Sequence, residues 1–146
     1  MILHDTDVTE ENARRDLQTT FDFQLRETAS RIEQRMAAYE LKVVEFSVLS
    51  LLAHNPGLTS RHVCATLSIM PPNLVGLVAS LEKRGLLERR PHPSDGRAMG
   101  LHLTPAGLAL AQETEQAVAQ LEMDATAKLS ASERKTLIRL LQKVYD

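Results

Sequence analysis

Two adjacent prolines, Pro71 and Pro72, constrain this chain more than any other pair of residues. Proline is tolerated in the first turn of a helix, where its missing N–H has no intrahelical partner, and not further in. A helix must therefore begin at Pro71, and any earlier helix must already have ended. Upstream, Thr59 is suited to cap a short helix over residues 60–67 with Val63, Cys64 and Leu67 pointing inward. Only residues 68–70 are left between the two, enough for a tight turn. Downstream, Leu74, Leu77, Val78 and Leu81 recur at i, i+3, i+4 and i+7, and Gly85 supplies a left-handed residue to end the helix. A short helix, a tight turn and a second helix make a helix-turn-helix.

The segments on either side complete a mainly α fold with a small β-hairpin wing. After Gly85 the helical period is lost, and LLERRP (86–91) and AMGLHL (98–103) are each expected as a strand, with HPSDGR as the turn. Met99, Leu101 and Leu103 alternate with Ala98, Gly100 and His102, as in a half-buried ribbon. Thr104 and Pro105 restart a helix as N-cap and first residue, and it runs through Leu108, Ala111, Val118 and Leu121 to about residue 125. Ser130 and Glu133 form a capping box for a last helix bearing Leu137, Leu140, Leu141 and Val144. At the other end, Leu17, Phe21, Leu25, Ile32 and Met36 mark a long amphipathic helix over 13–36. A second helix over 41–54 carries Val44, Val48, Leu51 and Leu52, widened by Val43 and Phe46, and is stopped by Asn55-Pro56-Gly57. The terminal helices present more apolar surface than a small winged core can cover, so a symmetric homodimer is expected.

With 146 residues, 43% hydrophobic, 25% charged and a net charge of −2, the chain has the composition of one ordinary globular domain. That mean conceals a division. Residues 1–40 hold nine acids against five arginines, whereas residues 61–97 hold six cations against three acids, so the basic excess lies over the helix-turn-helix and hairpin. No apolar run reaches the ~18 residues of a membrane span, and the acidic N-terminal stretch lacks the apolar core of a secretory signal. A single cysteine, Cys64, excludes an intrachain disulfide framework. A cytoplasmic protein that does not engage a membrane is expected. Neither Gly-rich phosphate loop, G-x-S-x-G nor metal-hydrolase motif occurs, and the five histidines lack metal-ligand spacing. The expectation is thus of no enzyme, no metal and no cofactor. Cys64, on the inward face of its helix, reads as a packing residue rather than a redox sensor.

The block LEKRGLLERRPHPSDGRAMGLHLTPAGLAL, residues 81–110, resembles the MarR family of bacterial transcription regulators. Its matching elements are LE-x-x-G-L at the end of the second motif helix, Arg89 shortly after, D-x-R at the hairpin tip (Asp95 and Arg97), and L-T-x-x-G (Leu103, Thr104, Gly107). The resemblance implies an N-terminal dimerisation helix (1–40), a winged helix-turn-helix DNA-binding lobe (41–104) and C-terminal dimerisation helices (105–146). It further implies a homodimer, a ligand-responsive repressor, on a pseudo-palindromic operator in double-stranded DNA. The helix over 71–84 would enter the major groove, Arg97 would reach the adjacent minor groove, and Asp95 would brace an arginine. Where relatives tend to write D-R-R this chain has Asp95-Gly96-Arg97, one cation fewer. His62 stands where a capping glutamate is common, leaving no reciprocal box with Thr59.

A helical wheel of the second motif helix turns Pro72, Gly76, Ala79 and Lys83 outward with Asn73 and Ser80 at the flank, a face of small residues that can sit deep in a groove. Asn73 is placed to pair with adenine and Pro72 to meet a thymine methyl; Pro71 stands beside it. Arg84, Arg89 and Arg90 are candidates for phosphate contacts, which position without reading sequence. Arg97 on a Gly-containing tip suits a narrow A·T minor groove. A small effector such as an aromatic carboxylate would find an aromatic wall and a cation in Phe21, Phe23, Arg26 and Phe46, unless these aromatics belong to the core. The alternative is a winged-helix interaction adaptor that has lost DNA binding.

Overall fold

In a computed structural model, which describes residues 10–94 and 96–145, the helices and strands follow the local punctuation closely. Among the described residues the order is α1 (Glu10–Ala37), α2 (Val43–His54), β1 (Leu58–Thr59), α3 (Ser60–Leu67), α4 (Pro71–Lys83), β2 (Leu87–Pro91), β3 (Met99–Leu103), α5 (Pro105–Ala125) and α6 (Ala131–Tyr145). The architecture is a winged helix-turn-helix flanked by long terminal helices.

Three helices, α1, α3 and α4, are followed by left-handed residues. After α1, Glu40 adopts φ 57°, and the Leu41 amide reaches back to the Met36 carbonyl at 3.0 Å. Leu41 and Met36 are both buried, the apolar contact that accompanies this type of C-terminal cap. After α3 the left-handed residue is Ser68, and after α4 it is Gly85, with Leu86 N donating to Leu81 O at 3.0 Å. The N-terminal caps are equally local. Thr59 Oγ1 accepts from His62 N, and the His62 ring meets the same hydroxyl at 2.9 Å, so His62 joins the cap from the side-chain end. Ser130 and Glu133 exchange the two hydrogen bonds of a capping box.

The sheet departs from the expected hairpin. Leu58 and Thr59 form a third strand, giving the antiparallel order β1-β3-β2 with Leu58 opposite Leu101 and Arg89 opposite Leu101 on the other edge. Two residues carry too little periodic signal to be read as a strand; pairing with β3 makes them one. That pairing also breaks the expected alternation. A Cβ at Gly100 would lie 2.9 Å from the Gly57 carbonyl, so Gly100 is buried under the β1 turn while Met99 stays 43% exposed.

Behind the sheet, Val48, Leu49 and Leu52 of α2, Val63 of α3, Leu74, Val78 and Leu81 of α4, Leu101 and Ala111 form one core. Phe46 packs against it. Thr104 links the wing to the motif: its hydroxyl donates to Gly85 O at 2.6 Å and accepts from Gly107 N at 3.1 Å. Glu115 of α5 accepts from Ser50 at 2.6 Å and meets the His54 ring at 2.9 Å, clasping α5 to α2. By contrast Leu17, Phe23 and Leu25 of α1 and Leu137, Ile138, Leu140 and Val144 of α6 are exposed. Among the described residues no single helix is long and apolar enough to cross a membrane.

Candidate nucleic-acid interface

The second motif helix divides as its periodicity requires. Leu74, Val78 and Leu81 are buried and Leu77 is half-buried, while Pro71, Pro72, Asn73, Gly76, Ala79, Ser80 and Lys83 are exposed. A Cβ at Gly76 would meet nothing within 4 Å. No contact inside the lobe therefore calls for a glycine there, although glycine in mid-helix costs roughly 1 kcal/mol against alanine. Asn73, Gly76, Leu77 and Ser80 line a shallow hollow of about 290 Å3 with Lys42 and Glu45, so the polar flank of α4 looks toward the start of α2. Val75 is also exposed, at 65%, on the opposite flank. It lies beside the leucine stripe, not in it, so the apolar periodicity carried no signal for it.

The arginines separate into three kinds. Arg84, expected at a phosphate, turns back instead: its Nη1 donates to the Glu40 carbonyl at 2.8 Å and its Nη2 to that of Tyr39 at 3.3 Å. Both acceptors are main-chain carbonyls of the turn that closes α1. Arg89 pairs with Glu82 at 2.9 Å across the α4–β2 turn, and Arg90 pairs with Glu88. Both pairs are exposed, and such pairs contribute little to stability, so a phosphate can replace either carboxylate. Glu82 braces Arg89; Asp95, for which the resemblance implies a bracing role, lies outside the described residues.

Arg97 is exposed on the connection between β2 and β3. Locally the wing is pinned by His92 N donating to Ala98 O at 3.0 Å, and by Ser94 N donating to the His92 ring at 3.3 Å. Between the wing and the first turn of α3 lies a hollow of about 660 Å3, lined by Arg61, His62, Arg89, His92 and Met99 among others. Arg61 and His62 join the basic wing side through this tertiary approach alone. Cys64, expected inward, is half-buried and borders a smaller hollow with Arg61, Pro71 and Val75.

Of the four residues considered for an effector, the three whose side chains are described do not converge. Phe23 and Arg26 share a hollow of about 310 Å3 with Thr19 and Asp22 on α1, and Phe23 is 62% exposed. Phe46 belongs to the core packing of α2 instead. The Phe21 side chain lies outside the described residues. Aromatic type and helical spacing do not distinguish a core ring from one on an open face; the position of α1 relative to α2 does.

The model of the MarR family matches residues 39–98. A proposed transcriptional regulatory protein for the hcr operon of Thauera aromatica is 37% identical over 100 residues, 68% of this chain but only 60% of that protein's length. An HTH-type transcriptional repressor of Mycobacterium tuberculosis is 31% identical over 104 residues, 71% of this chain and 75% of the relative. A solved structure of a MarR variant from Escherichia coli complexed with operator DNA is similar, with a TM-score of 0.76 and 25% identity, covering 95% of this chain and 100% of that one.

Proposed function

Because the chain belongs to the MarR family of transcriptional regulators, we propose that it binds a pseudo-palindromic operator in double-stranded DNA as a homodimer. The observation that carries this reading is the exposed small-residue face of α4 set beside a basic wing. Pro72, Gly76 and Ala79 let the helix approach base edges, and open space at Gly76 accounts for a glycine that the lobe itself does not need. Pro71, Asn73 and Ser80 border that face. Lys83, Arg89 and Arg90 meet phosphates, and Arg97 enters the minor groove. Arg84 is left out of the set because main-chain carbonyls hold it.

The exposed leucines, isoleucine and valine of α6, with Leu17, Phe23 and Leu25 of α1, form the dimer face, so residues 1–40 and 105–146 serve assembly and 41–104 serve binding. Repression follows by analogy with the mycobacterial relative named a repressor, and a cytoplasmic location goes with a regulator that binds bacterial DNA. A small aromatic carboxylate is the effector class that fits Phe23 and Arg26, where the second protomer would close the open side.

The test is a gel-shift titration of DNA from upstream of the chain's own gene at several salt concentrations. Binding whose log affinity falls linearly with log salt supports the regulator. No shift at low salt supports the adaptor that has lost DNA binding.

A further inference from the structure

We propose that Val75 is a specificity-determining residue that reads the C5-methyl group of a thymine in each half-site. The inference rests on the DNA-binding reading above and adds to it which base feature one flank of α4 selects.

Val75 stands 65% exposed near the middle of α4, one residue on from the buried Leu74. Its side chain is β-branched, so in a helix it has essentially one χ1 rotamer and loses little freedom when a surface closes on it. Around it the exposed face is cut low: Pro72, Gly76 and Ala79 carry no hydrogen-bonding side chain. Asn73 and Ser80, two polar groups of α4 able to pair with base edges, line the hollow with Lys42 and Glu45 on the far flank. On Val75's own flank the acidic side chain, Glu82, is held by Arg89 at 2.9 Å. Val75 instead borders a hollow with Pro71, Leu74, Cys64, Ser60 and Arg61, an apolar strip with a cation at its rim.

The apolar part of this strip, Pro71, Leu74 and Val75, offers no hydrogen bond to a base edge. In the major groove the base-edge feature that an apolar side chain recognises is the thymine methyl; cytosine presents an amino donor there, and guanine two acceptors. Arg61 at the rim is placed for the phosphate flanking that base. Burying one methyl corresponds to about fourfold in affinity.

The test uses the full chain and an operator obtained by binding-site selection. Each thymine is replaced in turn by deoxyuridine, which lacks only the methyl, and Kd is measured for the wild type and for Val75→Ala. Because Val75 is exposed, the variant should melt like the wild type. The expected result is one thymine per half-site at which deoxyuridine weakens the wild type about fourfold and leaves Val75→Ala unaffected. If no thymine shows this, or if deoxyuridine weakens both proteins equally at every position, the role of Val75 is overturned while DNA binding stands. If neither protein selects any DNA, the regulator reading falls and this inference with it.

Discussion

Arg84 and Glu40 join the end of the second motif helix to the end of the first long helix: the guanidinium donates a 2.8 Å hydrogen bond to the Glu40 carbonyl. That carbonyl belongs to the left-handed residue closing α1, where the helix dipole is negative and carbonyls lack intrahelical partners. The contact is thus both a hydrogen bond and a favourable charge placement. Arg84→Ala should lower stability by about 1 kcal/mol in urea melting. It should leave unchanged the slope of log Kd against log salt for operator DNA, whereas a fall of about one unit would make Arg84 a phosphate contact after all.

Glu40 holds φ 57°, a conformation in which a side chain costs about 1 kcal/mol relative to glycine. Glu40→Gly should therefore raise the urea midpoint, by about 0.5–1 kcal/mol of stability. The Arg84 bond survives, since it goes to a carbonyl. An unchanged or lower midpoint would show that the left-handed turn carries no strain.

Gly107 opens α5 against the main chain of Leu86, where an added Cβ would lie 1.9 Å from the carbonyl oxygen. Backbone on both sides cannot move apart without breaking the Thr104–Gly85 bond. Gly107→Ala should cost about 3 kcal/mol or more. Circular dichroism would show an early melt; a wild-type melting curve would mean the two segments separate freely.

Arg97 is the wing's cation at the tip, with Gly96 beside it. Arg97→Ala should weaken operator binding at least about tenfold with unchanged thermal melting. Retention of wild-type affinity in a gel-shift titration removes the wing from the binding mechanism.

The cap of α6 should respond to acid. Glu133's carboxyl sits below its ordinary 4.5, held there first by the Ser130 backbone amide and then by its hydroxyl. A depressed acid stabilises the fold above its unfolded value, and that contribution is lost as pH falls through the lower folded value. Helix α6 should consequently loosen below about pH 4.5, and Glu133→Gln should blunt that acid response. Amide exchange at residues 131–134 measures it; identical acid profiles for both proteins would exclude the cap as the cause.

Sequence alone determined the six helices of this protein, the two strands of the wing and their order. Pro71 and Pro72, Gly85, Thr59, Thr104 and the Ser130–Glu133 pair act through steric limits and hydrogen bonds that span at most a few residues, so their effect survives without knowledge of the fold. The small outward face of α4 was legible for the same reason, because a helix sets which positions share a side. Tertiary structure decided what crosses longer stretches of chain. The two-residue strand at Leu58 exists because β3 lies beside it, Arg84 bonds back to the end of α1 because carbonyls are offered there, and Phe46 enters the core while Phe23 remains outside. Each depends on contacts between segments far apart in the chain, and no local periodicity encodes which partner a side chain will meet when several are chemically acceptable.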